Sequence, residues 1–198
     1  MPVSIPDLNH AVVLCMDLHT SIVSIYTKGQ EDNYLDRVAR VQAAARQRGI
    51  PVIHVQVGFR PGLPEISDRN LLFSAIKSSS QWQQLFIGPG GAIHPRVAPQ
   101  GNEIVVTKHR GSAFTGTDLE MILRAQAIDT LVLMGIATSG VVLATLLHAA
   151  DADYRVAVVS DCCLDRDPEV HVCLVEKYFP LMATVVDAAA MAKAMRAN

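Results

Sequence analysis

The chain has 198 residues, of which 50% are hydrophobic and 18% are charged, and its formal net charge is −2. A chain of this length buries enough apolar surface to fold without a stabilising disulfide or metal ion. Its slightly negative charge excludes the strongly basic surface by which proteins bind nucleic acids or anionic membranes. We therefore expect no nucleic acid partner and no membrane partner.

One uncharged stretch, from Thr130 to Ala150, is long enough to cross a lipid bilayer. Gly135, Thr138, Ser139 and Gly140 interrupt it, and this pattern indicates a buried strand followed by a helix rather than one membrane helix. The N-terminus lacks the basic segment and apolar run of a secretion signal. The sequence therefore predicts a cytoplasmic location.

Short apolar runs alternate with longer amphipathic segments, which is typical of repeated βαβ units. The runs are rich in Val, Ile and Leu, as expected for strands that helices cover on both faces. The predicted strands are Ala11 to Met16, Pro51 to Val57, Glu103 to Thr107, Thr130 to Ile136, Arg155 to Ser160 and, at a sheet edge, Ala183 to Val186. The predicted fold class is α/β, a three-layer Rossmann-like fold with a mostly parallel sheet of about six strands and helices on both faces.

Helical periodicity and capping residues predict helices between these strands. They are Asn33 to Arg48, which Gly49 ends, a helix that begins at a Thr117–Glu120 capping box, Val141 to Ala152, Pro168 to Tyr178 and Asp187 to Met195. The long connection from Gly58 to Asn102 is rich in Pro and Gly, and we expect it to form the wall of a pocket. No repeat or linker divides the chain, so one domain is expected over residues 1–198.

Polar residues follow three of the predicted strands. Asp17 ends the first strand, Lys108 ends the third, and the segment from Gly135 to Val142 follows the fourth. Right-handed crossovers bring these strand ends to one crevice, which is where open parallel sheets bind ligands. A paired Asp and Lys at this place are suited to moving protons.

Each of these features also has a purely structural interpretation. Asp17 can be a turn former, and Lys108 can belong to a solvated basic turn with His109 and Arg110. The glycine-containing segment after the fourth strand can be a tight connection. The residues alone therefore indicate a site without fixing its chemistry.

Three segments in this order give the sequence a family resemblance: LCMDLH, TKHRGSAFTGTDLEMIL and LVLMGIATSGVVLAT. With them, the chain from about Ala11 to Val186 resembles the isochorismatase-like hydrolases, also called the cysteine hydrolase superfamily. This family includes isochorismatases, nicotinamidases and N-carbamoylsarcosine amidases.

The resemblance implies roles for individual residues. Asp17 matches the catalytic aspartate of the family and Lys108 its catalytic lysine. Ile136 and Ala137 match the place of a cis peptide that, with position 141, shapes an oxyanion hole. The nucleophilic cysteine of the family would fall at position 141, where this chain has Val141. Because valine has no nucleophile, the sequence excludes a thiol-dependent amidase mechanism through this position.

The four cysteines, Cys15, Cys162, Cys163 and Cys173, lie elsewhere in the sequence. Their spacing matches neither a zinc site nor a disulfide framework, and we expect packed, structural thiols. A relocated nucleophile at Cys162 is a weaker alternative.

The resemblance also raises the question of a metal, because nicotinamidases of the family bind one through an Asp and histidines after the second strand. Here His54 lies within that strand, and the next residues add no further His or Asp. Since one histidine does not make a site, we expect no metal and no other cofactor.

The candidate substrate-binding residues are Arg60, Phe114 and Trp82, with Phe59 and Asn70 as further candidates for the pocket. The guanidinium of Arg60 could hold a substrate carboxylate in a forked pair. The structural alternatives are a surface arginine that anchors the long connection and an aromatic side chain that only packs.

Isochorismatases of the family have a small residue other than cysteine at the position of Val141, and they hydrolyse a vinyl ether by acid–base chemistry. The resemblance therefore predicts a hydrolase that acts on a small, anionic metabolite through Asp17 and Lys108, without a thiol; the substrate itself is not assigned. The alternative is a catalytically silent member that binds a metabolite or a protein partner. The low charge content also predicts a homo-oligomer, a dimer or higher.

Overall fold

The computed structural model describes residues 5–86 and 91–197. Its centre is a six-stranded sheet in the order β3-β2-β1-β4-β5-β6, and all neighbouring strands are parallel. The strands are β1 (Ala11–Met16), β2 (Val52–Val57), β3 (Ile104–Lys108), β4 (Thr130–Ile136), β5 (Arg155–Leu164) and β6 (Thr184–Val186). The predicted α/β class and the six predicted strands are confirmed, including the position of the last strand at an edge.

Helices surround the sheet on both sides. They are α1 (Thr20–Thr27), α2 (Glu31–Arg48), α3 (Leu71–Lys77), α4 (Ser80–Gln84), α5 (Leu119–Ala125), α6 (Leu143–Asp151), α7 (Pro168–Cys173) and α8 (Ala188–Arg196). A π turn, Thr138–Val142, precedes α6, and a second one, Leu174–Tyr178, follows α7. In the part of the chain that the structure describes, no helix has the length and apolar character needed to span a bilayer.

Two apolar cores lie on opposite faces of the sheet. Helices α1, α2 and α8 pack on one face, where Leu35 and Met191 join a cluster that contains Val13. Helices α5 and α6 pack on the other face, where Leu123 joins a cluster that contains Val12. Because successive side chains of a strand point to opposite faces, the fully buried pair Val12 and Val13 shows that β1 is covered on both sides.

The end of α2 follows the predicted glycine signal. Gly49 has a φ of 76°, and its N–H donates to the carbonyl oxygens of Ala45 and Arg46. Glycine takes this left-handed conformation without the steric cost that other residues meet. The helix itself begins at Glu31, two residues before the predicted start.

The predicted capping box at α5 is wrong. The Thr117 hydroxyl donates to the carbonyl oxygen of Ala113 at 2.7 Å and accepts from the Leu119 N–H, so it is engaged in a turn before the helix. Glu120 pairs instead with Arg124, one helical turn later. The reciprocal bonds of a capping box are therefore not formed.

The long connection contains more structure than its Pro and Gly content indicated. It carries α3, α4 and a 3₁₀ turn at Pro95–Val97, while its residues 87–90 lie outside the described part of the chain. The Asn70 side chain caps α3 through the Phe73 N–H, and Ser79 caps α4 through the Trp82 N–H. Helix α1 was not predicted either, because it follows the strand end directly and has no side-chain cap.

Candidate active site

The loop after β1 places Asp17 at the carboxyl end of the sheet. Its N–H donates to the carbonyl oxygen of Val55 at 2.8 Å, and its φ is 54°. This left-handed conformation is uncommon outside glycine, and Asp is one of the residues that tolerate it. Lys108 is the last residue of β3, and both side chains are almost completely buried.

Asp17 and Lys108 form an ion pair. The Lys108 ammonium lies 2.8 Å from Asp17 Oδ2 and also donates to the carbonyl oxygen of Arg110 at 3.0 Å. Burial raises the pKa of the Asp17 carboxyl, but Lys108 and His19 lower it by more, so the net pKa lies below its ordinary value. Asp17 is therefore a carboxylate at neutral pH and can accept a proton.

His19 is a further buried residue of this site, and the sequence analysis did not single it out. Its Nδ1 lies 2.6 Å from the carbonyl oxygen of Gly91, and its Nε2 lies 3.7 Å from Asp17 Oδ1. The ring meets Phe86 edge to face. His19 comes two residues after Asp17, so the rule that ligands bind beyond strand ends could have found it.

A cavity of about 710 Å³ opens beside the ion pair. Asp17, Lys108 and Arg166 are its charged lining residues. Most of the remaining wall is apolar, with Ile22 and Ile25 from α1, Leu72, Phe73 and Ile76 from α3, and Trp82 from α4. The long connection thus forms part of the pocket wall, as its length predicted.

The segment after β4 forms another part of the wall. The peptide bond between Ile136 and Ala137 is cis, as the resemblance implied, and both residues line the cavity together with the buried Val141. The Ser139 N–H donates to Asp165 Oδ2 at 2.6 Å, which ties this turn to the segment after β5.

Gly135 explains how this turn comes so near to Asp17. A Cβ atom at this position would lie 2.1 Å from the carbonyl oxygen of Met16, a distance that no side chain can adopt. Met16 and Gly135 are paired in register at the ends of β1 and β4. Only glycine allows the two strand ends to approach this closely.

Arg166 is a cation of the cavity that the sequence analysis missed. Its side chain is exposed, and it forms no hydrogen bond or ion pair within residues 5–86 and 91–197. It lies near Tyr26. The pKa of the Tyr26 hydroxyl is raised overall, because burial and Asp165 raise it by more than Arg166 lowers it. The predicted fifth strand ended at Ser160, whereas β5 continues to Leu164, so Arg166 follows a strand end after all.

The predicted substrate-binding residues divide into two groups. Trp82 lines the cavity and is 42% exposed. Arg60 and Phe114 are not among the lining residues: Arg60 points to solvent in an ion pair with Glu65, and Phe114 is buried in a stack on His148, with ring centroids 4.4 Å apart. Their positions do not support the prediction, because each side chain is already engaged elsewhere.

The two further candidates also lie outside the cavity lining. Phe59 packs edge to face against Phe73, with ring centroids 5.9 Å apart. Asn70 uses its side chain to cap α3. Both residues therefore contact α3, which carries lining residues of the cavity, and neither lines the cavity itself.

Comparison with known proteins identifies the family of the chain. Residues 11–190 match the isochorismatase domain family. The chain belongs to the isochorismatase family.

Several curated proteins are similar in sequence to this isochorismatase-family chain. It is 33% identical to maleamate amidohydrolase of Pseudomonas putida over 138 residues, which is 69% of this chain and 62% of that protein. It is 32% identical to N-carbamoylsarcosine amidase of an Arthrobacter species over 146 residues, 70% of this chain and 52% of the other. The chain thus spans about half to three fifths of the length of these two relatives.

Solved structures of the isochorismatase family share the fold. An isochorismatase family protein from Burkholderia thailandensis superposes with a TM-score of 0.81 at 29% identity, covering 97% of this chain and 99% of that one. N-carbamoylsarcosine amidase from Thermoplasma acidophilum superposes with a TM-score of 0.70 at 26% identity, covering 90% and 96%.

The cysteines of this family member lie away from the cavity lining. Cys15, Cys162 and Cys163 are buried, whereas Cys173 is exposed. Burial raises the pKa of the Cys15 and Cys163 thiols to about 12 and that of Cys162 further still. Because the thiolate is the nucleophile, these raised pKa values disfavour the nucleophilic form of the three buried thiols, which argues against a relocated nucleophile at Cys162.

His54 is the one residue that the sequence analysis considered as a metal ligand. It is fully buried within β2. Its Nε2 lies 3.1 Å from Glu103 Oε2, and Arg46 holds the same carboxylate in a forked pair. Burial lowers the pKa of His54 by more than Glu103 raises it. The described residues contain no group of three or more His, Cys, Asp or Glu side chains arranged to hold a metal ion.

Proposed function

We propose that this chain is a hydrolase of small amide-type molecules that carry a carboxylate, and that it works without a cysteine nucleophile. The observation that carries the proposal is the buried Asp17–Lys108 pair, 2.8 Å apart, in a largely apolar cavity that is also lined by the cation Arg166, which pairs with no other described residue. Asp17 supplies a base, Lys108 and the backbone of the turn stabilise negative charge, and Arg166 binds the carboxylate.

Asp17 acts as the general base in this proposal. Its lowered pKa keeps it ionised at neutral pH, and its position in the cavity wall gives it access to a water molecule. As water attacks the substrate carbonyl, Asp17 takes a proton from that water. The same carboxyl then returns the proton to the leaving nitrogen, which completes hydrolysis without a covalent enzyme intermediate.

Charge builds up on the substrate oxygen when the carbonyl carbon becomes tetrahedral. The Lys108 ammonium is a preorganised cation beside Asp17, and the backbone around Ile136, Ala137 and Val141 lines the same cavity. We assign the stabilisation of this oxygen to these groups, because fixed dipoles and charges in a site with little water are the usual source of such stabilisation.

Arg166 defines the substrate class. A guanidinium that lines a cavity and has no hydrogen-bond or ion-pair partner in the described part of the chain is suited to a forked pair with a carboxylate. The relatives named above agree with this choice, since maleamate and N-carbamoylsarcosine each combine a carboxylate with an amide-type carbon.

The absence of a thiol is the second part of the proposal. Val141 lines the cavity at the position where the family resemblance places the nucleophilic cysteine, and none of the four cysteines is a lining residue. A valine in this position also favours the alternative function, a silent family member that binds a carboxylate-bearing metabolite or a protein and turns nothing over.

We also propose that the protein is a cytoplasmic homo-oligomer. The large apolar side chains of Leu71 and Leu181 are 87% and 75% exposed, and contact with a second copy of the chain would remove them from water. Sedimentation at several protein concentrations tests the assembly, and a monomer throughout would contradict it. Fractionation of cells that express the protein tests the location.

A hydrolase screen separates the two functions. Maleamate and N-carbamoylsarcosine are incubated with the protein, together with carboxylate-bearing esters and vinyl ethers, and product release is measured. We expect the parent protein to turn over at least one of these compounds. Asp17→Asn and Lys108→Met should abolish this turnover, and thiol alkylation should leave it unchanged. Saturable binding without turnover across the whole panel would establish the silent alternative, and turnover that alkylation removes would overturn the thiol-independent mechanism.

A further inference from the structure

Two buried polar atoms face each other beside the ion pair, and neither has a hydrogen-bond partner among the described residues. They are His19 Nε2 and Asp17 Oδ1, which lie 3.7 Å apart. His19 is fully buried, so water does not satisfy its ring nitrogen from the protein surface. A buried polar atom without a partner is costly, and one at an active site calls for an explanation.

The other ring nitrogen decides which tautomer is present. His19 Nδ1 lies 2.6 Å from the carbonyl oxygen of Gly91, and because a carbonyl oxygen only accepts, Nδ1 carries a hydrogen and donates. In a neutral ring Nε2 would then be a bare acceptor opposite a carboxylate oxygen. Two acceptors that face each other in a buried site repel, and a proton on Nε2 turns this repulsion into attraction.

The backbone holds His19 in this orientation. The Thr20 N–H donates to the carbonyl oxygen of Ala92, and the His94 N–H donates to the carbonyl oxygen of Leu18, at 2.9 and 2.8 Å. The segment on either side of His19 is therefore fixed against the segment that carries Gly91. The ring cannot turn away from Asp17 without breaking the bond between Nδ1 and the carbonyl oxygen of Gly91.

The Asp17 carboxylate that faces Nε2 favours a proton on His19, whereas the Lys108 ammonium opposes it. Asp17 faces Nε2 from the same loop, and Lys108, from β3, lies on the opposite oxygen of that carboxylate. From the other side the ring contacts the edge of Phe86, which is uncharged. The Asp17 carboxylate oxygen faces Nε2 at 3.7 Å, and its sign attracts a proton to His19.

We propose that His19 is a positioning residue for Asp17. In the working site the His19 ring carries a second proton, and it donates this proton in a hydrogen bond from Nε2 to Asp17 Oδ1. This inference rests on the proposed role of Asp17 as the base. Lys108 then holds one carboxylate oxygen and His19 the other, so that the plane of the carboxylate is fixed. The three groups together carry one positive charge, which complements an anionic substrate.

Nitrogen NMR of the uniformly ¹⁵N-labelled protein tests the proton directly. We expect both ring nitrogens of His19 to be protonated at pH 6.5, with the resonance assigned by its loss in His19→Gln. In Asp17→Asn, which removes the charge opposite Nε2, we expect the second proton to be lost. A neutral His19 with a bare Nε2 throughout pH 6–8, or an imidazolium that persists unchanged in Asp17→Asn, would overturn the inference.

Two substitutions give an independent readout once a substrate such as maleamate is turned over. The variant His19→Gln retains an N–H donor but cannot ionise. The variant His19→Leu has no donor and cannot ionise. We expect His19→Leu to lower kcat about 10- to 100-fold, the range for loss of a charged hydrogen bond. His19→Gln should recover most of kcat and lose one ionisation from the alkaline side of the pH profile.

The kinetic outcomes separate the two proposals. Unchanged kcat and an unchanged pH profile in His19→Leu would overturn the positioning role even if Asp17 is essential. An imidazolium at His19 in a protein that turns over nothing would support the inference about the proton and contradict the proposed hydrolase alone.

Discussion

The Lys108 ammonium lies 2.8 Å from Asp17 Oδ2, although the two residues end strands that are not neighbours in the sheet. Strand β2 lies between β1 and β3, and two strand spacings separate their backbones by about 10 Å. The long lysine side chain bridges most of this gap above the end of β2. A shorter cation at position 108 could not reach the carboxylate.

Replacement of Asp17 by Asn should abolish turnover while the cavity remains. The amide has nearly the shape of the carboxylate but cannot accept a proton from water, so we expect kcat to fall by a factor of about 10² to 10⁴. Steady-state kinetics with the substrate found in the screen measures this loss.

The matched control for that substitution is Asp68→Asn. Asp68 pairs with Lys77 at 2.9 Å, but its side chain is 83% exposed and lies outside the cavity lining. Its loss should leave kcat unchanged and alter the free energy of unfolding by less than about 1 kcal/mol. Full activity in Asp17→Asn would remove the general base from the mechanism.

Replacement of Arg166 by Gln should weaken the binding of carboxylate substrates. The forked, charge-assisted pair is lost, and we expect KM to rise about 10- to 100-fold, with a smaller change in kcat. The corresponding methyl ester or primary amide of the substrate, which lacks the carboxylate, should lose little. Arg124→Gln is the control, because Arg124 pairs with Glu120 on the surface of α5. Equal losses for charged and uncharged substrates would rule out the carboxylate contact.

Replacement of Val141 by Cys should make part of the activity dependent on a thiol. The new side chain would lie in the wall of the cavity that contains Asp17 and Lys108. We expect amide turnover by Val141→Cys to be inhibited by iodoacetamide, while the parent protein is insensitive. Because the substitution removes a buried methyl group, the free energy of unfolding should fall by about 1 kcal/mol. Insensitivity of both proteins would show that position 141 cannot present a nucleophile.

Glu103 predicts a pH dependence of stability. Burial raises the pKa of its carboxyl, but hydrogen bonds from Arg46, the Gln100 N–H and His54 lower the pKa by more. The net pKa is about 2. Because this value is below that of the unfolded chain, Glu103 stabilises the fold fully above about pH 4.5. This contribution is lost as the pH falls toward 2.

Urea unfolding of Glu103→Gln measures this effect. We expect the free energy of unfolding to fall by about 2 kcal/mol at pH 7, the size of a hydrogen bond to a charged group. The difference from the parent protein should shrink between pH 4.5 and 2. Glu120→Gln, in an exposed pair on α5, should show no such trend. A constant difference down to pH 2 would contradict the assigned pKa.

The sheet could be predicted from the sequence because burial on both faces leaves a simple signal. Val12 and Val13 face opposite cores, and such strands appear as continuous apolar runs. The short helices α3 and α4 have no comparable signal, since they cover only the rim of the cavity and three of their large apolar residues, Leu71, Leu72 and Trp82, remain exposed. Propensity alone does not decide such short helices.

The site could be predicted only where a residue ends an apolar run. Asp17 and Lys108 do so, and the structure brings them together as expected. Arg166 was missed because the polar residues Ser160 and Asp161 interrupt the fifth apolar run, whereas β5 continues beside β4 to Leu164. The register of these two strands shifts between Leu133 and Gly135, which no local pattern reveals.

The order of the strands also has a consequence for folding. Asp17, Lys108 and Val141 are far apart along the chain, and they meet only when the parallel strands β1, β2, β3 and β4 have all paired. Parallel pairing over long sequence separations is slow because the loops must close before the contacts form. During refolding, the ability to bind ligand should therefore recover later than the helical circular dichroism signal. Recovery of ligand binding would then mark the completion of the sheet.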